Sequence, residues 1–377
     1  MIEGYENELL QTTDGEIALI NLESARQRSW SRFFTDPQRD GIAESVLEHE
    51  QLTAQYVGDV SALDRMESLA NSLAAALPSS ARTALIQAKV CSMTHRFTDA
   101  RHYLAQAEIG GGAPPDDIRL LKLNIDQACG VNPDRVLNQR REIARKSGRL
   151  EDLMTLGALL TDLREFIDAH QIYTQGLRGY SDVSPFPPAG VCFQLGVLWG
   201  ELVAEPDTAR AAHWYKRALD YLPGYAKARV HLAEIYSRNG QLSEAQALLI
   251  PAVGTGDPEI CWRLSDVMAR QGKFADAEAQ MQAARCGFES LLERHLLAFA
   301  DHGAEFYAES GDLRRALELA CVNVANRPTL RAFEQAHAIA VRAGDVNVTN
   351  ELLAEVTRRH GAPAALDSSP LCAEVTA

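Results

Sequence analysis

The stretch RNGQLSEAQALL, from Arg238 to Leu249, reads as the end of one helix, a turn and the start of a second helix. Its glycine, Gly240, can adopt the left-handed backbone conformation that ends many helices. Ala245 follows another small residue, Ala233, by twelve positions. Small side chains on two helices joined by a short turn let the backbones approach closely. The stretch therefore predicts a helical hairpin with these two alanines at the crossing.

The same spacing recurs along the chain. Small residues pair at twelve positions as Ala88/Ala100, Gly157/Ala169, Ala233/Ala245, Ser265/Ala277 and Ala304/Ala316, and turn glycines follow the first member by seven at Gly240, Gly272, Gly311 and Gly344. His337/Thr349 keeps the spacing, and Gly196/Ala211 stretches it to fifteen. From Gly157 onward the register returns every 32 to 39 residues. Because one hairpin cannot bury its apolar stripe alone, neighbouring copies must stack.

Composition limits the possible partners. The formal net charge of −14 repels phosphate backbones, so we expect neither nucleic acid nor an anionic membrane as a partner. No apolar run approaches the ~20 residues of a membrane span. The start, MIEGYENELL, has no secretory signal pattern, and the cysteines form no CxxC pair. These features predict a cytoplasmic location with free thiols.

The residues around the small pairs resemble the tetratricopeptide repeat, whose pattern is W-x2-L-G-x2-Y, then A-x3-F, then P. One copy consists of Leu153, Leu156, Gly157, Leu160, Ala169 and Tyr173, and a second of Leu232, Ala233, Tyr236, Ala245, Leu249 and Ala252. The stretch FQLGVLWGELVAEPDTARAAHWYKRALDY resembles a Sel1-type repeat, with a longer loop containing AEPD. The resemblance implies an all-α fold, an α-solenoid in which antiparallel helix pairs form a right-handed superhelix.

The domain organisation follows from where the pattern holds. Residues 44–360 are predicted to form about eight or nine repeats, with 115–147 a degenerate copy and 189–225 the Sel1-like copy. Residues 1–43 lack the pattern and are predicted to form a helical cap, and 361–377 a flexible tail. Glycines and prolines predict loops at Gly110–Asp117 and Ser181–Gly190.

Catalytic and metal motifs are missing from the sequence. It has no phosphate-binding loop, no G-x-S-x-G, no H-E-x-x-H and no spaced cysteine quartet. His295 and His302 lie two helical turns apart, which is too far for one metal ion without a third element. We therefore expect no cofactor, no metal site and no enzymatic activity.

The remaining candidate site is the helix face opposite the packing stripe. In tetratricopeptide repeat proteins, which the sequence resembles, the first helices of the repeats line the concave side of the superhelix. A helical wheel places charged residues and one tryptophan on that face. The predicted partner-binding residues are Lys227, His231, Arg238, Trp262, Arg263, Arg270, His302 and Glu305. Trp262 is expected to be an exposed aromatic anchor among charges. A solvated mixed-charge face is the alternative interpretation.

The sequence thus predicts a scaffold or adaptor that binds another protein or a peptide segment in a concave groove. A second hypothesis is a regulatory sensor whose superhelix changes pitch when a ligand binds. A third, which the missing motifs disfavour, is an enzyme with an unrecognised site.

Overall fold

The computed structural model describes residues 9–360, and this part of the chain contains helices and no strand. The first nine α-helices are α1 (Gly15–Thr35), α2 (Ile42–Leu52), α3 (Ala62–Ala76), α4 (Ala81–Met93), α5 (Phe97–Gly110), α6 (Pro115–Ala128), α7 (Pro133–Ser147), α8 (Leu150–Asp162) and α9 (Phe166–Gly179). The others are α10 (Phe186–Val197), α11 (Thr208–Tyr221), α12 (Ala226–Arg238), α13 (Leu242–Leu249), α14 (Pro258–Arg270), α15 (Phe274–Glu309), α16 (Leu313–Asn326), α17 (Leu330–Ala343) and α18 (Val346–His360). The predicted all-α fold of stacked helix pairs is confirmed.

The chain folds into two compact units, each made of segments that are distant in sequence. Of the described residues, the first unit contains 9–31, 48–62 and 137–284. The second unit contains 32–47, 63–136 and 285–360. The predicted tail, 361–377, lies outside the described residues.

The small residues lie at the helix crossings, as the spacing predicts. Ala233 and Ala245 are 1% and 0% exposed, in the core that α12 and α13 share with α14. Ser265 and Ala277 form the same kind of pair, and the Ser265 hydroxyl donates to the Ala277 carbonyl at 2.8 Å. The predicted repeat register is therefore confirmed at these positions.

Two copies use glycine instead of alanine, and a tyrosine ring fills the vacated space. A Cβ added to Gly157 would lie 2.5 Å from the ring of Tyr173, and one added to Gly196 would lie 2.3 Å from the ring of Tyr215. Both rings are about 1% exposed. Each tyrosine follows the second member of its pair, Ala169 or Ala211, by four residues, so it comes from the partner helix.

The turns inside the pairs share one backbone conformation. The predicted turn glycines Gly240, Gly272, Gly311 and Gly344 all have φ between 70° and 90°. The copies that begin at Ala88 and Gly157 have no glycine there, and His95 and Arg164 take the left-handed conformation instead, with φ of 56° and 62°. The turn geometry is thus kept even where an L side chain makes it less favourable.

Two predicted loops are shorter than expected. The loop after α5 comprises residues 111–114, because Pro115 begins α6. The loop predicted to extend to Gly190 ends at Phe186, where α10 begins, so the prediction is wrong for residues 186–190. Prolines are tolerated in the first helical turn because the amide there needs no partner inside the helix.

The segment 115–147, predicted as a degenerate copy, contains two helices, α6 and α7. The segment predicted as a cap contains the long helix α1, whose start lies against the end of α11. A Cβ added to Gly15 would be 2.4 Å from the Tyr221 carbonyl oxygen, and the Leu10 amide donates to the Tyr221 hydroxyl at 2.9 Å. That α1 caps the first repeat stays a prediction.

Within residues 9–360, no helix has the length and apolar character needed to cross a membrane.

Candidate functional site

The predicted partner-binding residues fall into both units. Lys227, His231 and Arg238 lie on α12, and Trp262, Arg263 and Arg270 lie on α14; all six belong to the first unit. His302 and Glu305 lie on α15 in the second unit. The candidate site is therefore the α12–α14 face, and the two α15 residues belong to the other unit.

Trp262 does not have the predicted exposure. Its side chain is 2% exposed, and the guanidinium carbon of Arg263 stands 3.6 Å from the centre of its ring. Arginine stacks well on indole because its planar, weakly hydrated cation faces the negative side of the ring. Trp262 is thus part of the packing beneath Arg263, and the prediction of an exposed aromatic anchor is wrong.

His231 lies against a carboxylate from the turn that follows α10. Its Nδ1 is 2.7 Å from Oε1 of Glu201, which also accepts a 3.0 Å hydrogen bond from the Tyr215 hydroxyl. The Tyr215 ring stacks on the imidazole with centroids 5.4 Å apart. Burial by itself lowers the pKa of His231, but the Glu201 carboxylate, with help from Glu234, outweighs burial and raises it to about 9. His231 is therefore a cation at neutral pH.

Glu234 connects His231 to α14. Its carboxylate lies 2.5 Å from Nε of Arg263 and 3.9 Å from Nδ1 of His231. Burial raises the pKa of Glu234, and Arg263 and His231 only partly offset that rise. Arg263 also lies 3.9 Å from Asp266, and Arg238 lies 4.0 Å from Glu234. The result is a row of alternating charges that crosses the two helices.

Arg270, a predicted partner-binding residue, is hydrogen-bonded to another helix of the chain. Its guanidinium donates to the backbone oxygen of Ser237 and, at 2.8 Å, to the Ser237 hydroxyl, which holds the end of α14 to the end of α12. Lys227 is half-buried near the start of α12. The cations of this face are thus interleaved with carboxylates, and the face is a mixed-charge network.

Glu201 is a member of the site that the sequence reasoning missed. It lies in a π-helical turn, Leu198–Leu202, which extends α10 just before the inserted residues. The wider turn changes the register of the helix, so that Glu201 reaches Tyr215 and His231. Such turns often occur at functional positions. The inserted residues could be recognised in the sequence. They did not indicate that the Glu201 side chain would contact His231.

The chain itself covers one end of this face. Tyr56, which is 3% exposed, packs between Phe186 and Tyr225 with centroid distances of 5.2 and 4.9 Å. A Cβ added to Gly190 would be 2.7 Å from the Tyr56 hydroxyl, and one added to Gly58 would be 2.7 Å from Ala226. Residues 53–58 therefore occupy the side near the starts of α10 and α12. The accessible part lies toward the helix ends, at Glu201, Arg238 and Asp266.

The two α15 residues have different surroundings in the second unit. Glu305 is exposed. The backbone amide of His302 donates to Asp301, whose carboxylate is also 2.6 Å from Arg327. Burial acts to raise the pKa of Asp301, but His302 and Arg327 outweigh it and hold the pKa well below its usual range. Moreover, α15 departs from helical geometry at His295, so His295 and His302 do not share one regular helix.

In the part of the chain that the structure describes, no three His, Cys, Asp or Glu side chains are grouped so that they could hold a metal ion.

A known family model matches part of the chain that includes α12, one of the two helices of the charged row. Residues 202–255, which include α11, α12 and α13, match the tetratricopeptide repeat model. The matched segment contributes His231, Glu234 and Arg238 to the charged row, whereas Arg263 and Asp266 come from α14.

Solved structures with similar folds have low sequence identity to this chain. An IFIT1 monomeric mutant with Gppp-AAAA is 15% identical over 92% of this chain and 84% of that chain, with a TM-score of 0.43. A chain of the APC/C hetero-tetramer Cut9-Hcn1 is 12% identical over 93% and 67%, with a TM-score of 0.42. Rap protein complexed with Competence and Sporulation Factor is 14% identical over 78% and 92%, with a TM-score of 0.42. No curated protein matches the chain.

Proposed function

We propose that this chain is a non-catalytic scaffold that binds a segment of another protein along the open end of the α12–α14 face. The observation that carries the proposal is the row Glu201–His231–Glu234–Arg263, whose neighbours are held by ion pairs of 2.5 to 3.9 Å. Side chains that are already fixed lose little conformational entropy when a partner docks. A row of fixed, alternating charges also selects the register of the bound chain.

The exposed ends of the row indicate the chemistry of the partner. The Arg238 side chain is 64% exposed and the Asp266 side chain is 45% exposed, whereas Arg263 is 11% exposed and engaged with Glu234. A partner segment with a carboxylate for Arg238 and a cation for Asp266 fits this arrangement.

Three finer points belong to the same proposal. Residues 189–225 are assigned to the Sel1-like subtype, because the inserted residues follow the π-helical turn and the Trp214–Tyr215 pair is buried. The protein is assigned to a reducing cytoplasm, because the six cysteines in the described residues are free thiols. We expect the protein to bind its partner without a cofactor.

The test is a charge reversal at the two exposed ends, Arg238→Glu with Asp266→Lys. The matched control is Arg178→Glu with Asp220→Lys, two exposed residues on α9 and α11 of the same unit. Both double variants leave the net charge unchanged. A photo-crosslinking amino acid at position 238, and at 178 in the control, identifies what contacts each surface in cells.

We expect a specific adduct from position 238 that is at least tenfold stronger than any adduct from position 178. The Arg238→Glu/Asp266→Lys variant should lose co-purification of that same partner, while its circular dichroism and melting temperature stay near the parent values. The control double variant should retain the partner. Equal adducts from both positions, or unchanged recovery of the partner by the test variant, would show that this face does not bind the partner.

A further inference from the structure

The second unit contains a contact that joins two parts of the chain about 230 residues apart, and we call it the clasp. On one side are Asp64 and Glu67 of α3 with His95 and Arg96 of the α4–α5 turn; on the other are Arg294, His295 and Leu297 of α15 with Asn326 and Arg327 at the end of α16. Both histidines lie where the backbone leaves helical geometry. His95 has a φ of 56°, and His295 has a φ of −135° with a ψ of 48°.

His95 is held from several elements at once. Its Nδ1 lies 3.3 Å from the backbone oxygen of Leu297, and its own carbonyl accepts a 2.9 Å hydrogen bond from the Asn326 amide. Because a carbonyl only accepts, the ring must carry a hydrogen on Nδ1. The ring also stacks on Phe97, with centroids 5.5 Å apart. This arrangement is complete with a neutral imidazole and needs no second ring proton.

The charged groups that face His95 determine what a second proton would do. From α15 and the end of α16 these are Asp301, His302 and Arg327, and Asp301 is already engaged with Arg327 at 2.6 Å. Next to His95 on its own side, Arg96 pairs with Glu67 at 3.2 Å. A protonated ring would therefore be half-buried beside Arg327, with the nearest carboxylate already neutralised.

We propose that the clasp is an acid-released contact, with His95 as the group whose protonation opens it. Opening separates the α4–α5 turn from α15 and the end of α16 within the second unit, and the contact reforms when the ring becomes neutral again. This inference concerns a different surface from the α12–α14 face, so it stands independently of the proposed function.

The sign of the pH dependence follows from the folded environment. Burial, with a smaller contribution from Arg327, lowers the pKa of His95 to about 4, although Asp301 acts in the opposite direction. In the open state the ring returns to a pKa of about 6.5. The closed contact is therefore fully favoured above pH ~6.5 and is weakened progressively as the pH falls from ~6.5 to about 4. Between pH 7.5 and 5, linkage lowers the closed-to-open ratio roughly thirty-fold.

The experiment is hydrogen–deuterium exchange of the full chain at pH 7.5 and 5, corrected for the intrinsic exchange rate. The test variant is His95→Asn, because asparagine tolerates positive φ well and does not titrate in this range. The control is His102→Asn, an exposed histidine on α5. We expect protection of the peptides covering 94–100 and 323–329 to fall about thirty-fold in the parent and the control, and to change less than threefold in His95→Asn.

An equal loss of protection in the parent and His95→Asn would overturn the proposal. Should His95→Asn not fold, the imidazole of His95 can be titrated directly in the parent by NMR. A midpoint near 4 supports the inference. A midpoint near 6.5 contradicts it, because a ring that titrates normally in the closed state cannot drive opening.

Discussion

At the scale of single residues, each helix crossing combines a small residue on one helix with a matching larger residue on the other. The spacing of the small residues predicts only the first of these. Ala233 and Ala245 are buried in the same core, and the residue four positions after Ala245 is Leu249. Where the first member is Gly157, the corresponding residue is Tyr173, and its ring lies where a glycine leaves room. The small residue and the bulky partner on the next helix are thus one packing unit.

Gly157→Ala tests this unit. The added methyl group would lie 2.5 Å from a Tyr173 ring carbon, so the ring or the helix must move. The gain in helix propensity, ~1 kcal/mol, is smaller than the cost of overpacking, and we expect a net loss of ~1–2 kcal/mol. Chemical denaturation with an unchanged m-value measures it. Gly179→Ala is the control, because nothing lies within 4 Å of the added carbon there.

The decisive observation is coupling between the two positions. Tyr173→Leu recreates the alanine–leucine combination of the α12–α13 pair, so Gly157→Ala should cost less in that background. We expect a favourable coupling of at least ~1 kcal/mol in the double-mutant cycle. Strictly additive losses would show that the ring does not occupy the glycine site in solution.

Trp262 illustrates why residue exposure is harder to predict than residue position. A helical wheel correctly puts it beside Arg263 and Asp266, and charged neighbours suggest solvent. The wheel does not show that the Arg263 side chain folds over the ring at 3.6 Å because Glu234, on another helix, holds its guanidinium. Exposure therefore depends on tertiary ion pairs, which one helix's sequence does not contain.

At the scale of elements, the repeat pattern predicts helix pairs and their turns well. It is less informative about a turn when the left-handed position is occupied by a residue other than glycine. The left-handed turn at Gly240 is evident from the sequence, whereas the same turn at His95 and Arg164 can be recognised only by counting seven residues from the small residue. In both cases the packing of the two helices imposes the turn, and glycine merely lowers its cost.

The insertion between α10 and α11 gives an element-scale prediction. Ala204, Glu205 and Pro206 are exposed, whereas Val203 is 8% exposed and the Asp207 side chain caps α11 by accepting from the Arg210 amide at 2.9 Å. Because closure entropy varies slowly with loop length, deleting residues 204–206 should change the free energy of unfolding by less than ~1 kcal/mol. Thermal and urea unfolding provide the measurement.

The neighbouring cap supplies the contrast. Asp207→Ala should cost about 1 kcal/mol, because the first turn of α11 loses its side-chain acceptor. A deletion of 204–206 that costs more than the cap substitution would mean that the insert makes contacts of its own. It would then be part of a binding site.

At the scale of the molecule, the sequence pattern suggests a chain of repeats in which each copy contacts only its neighbours. The structure differs, because each compact unit combines segments that are distant in sequence. In the second unit, Asp64 of α3 binds both Arg294 and His295 of α15. A periodic pattern specifies how one copy packs on the next, but it contains no information about contacts between distant copies. That is why the register could be predicted and the clasp could not.

The contact between α3 and α15 couples distant parts of the second unit. Asp64 lies 2.8 Å from Nε2 of His295, whose side chain is 1% exposed, and removing the carboxylate leaves a buried imidazole with Glu67 only at 3.9 Å. Asp64→Ala should therefore lower hydrogen-exchange protection of residues 290–300 by about tenfold, equivalent to ~1.4 kcal/mol. Asp116→Ala, whose partner Arg119 lies on the same helix, is the control and should leave that segment unchanged. In an array coupled only through nearest neighbours, a change in α3 would not reach α15, so equal protection in both variants would restore the one-dimensional description.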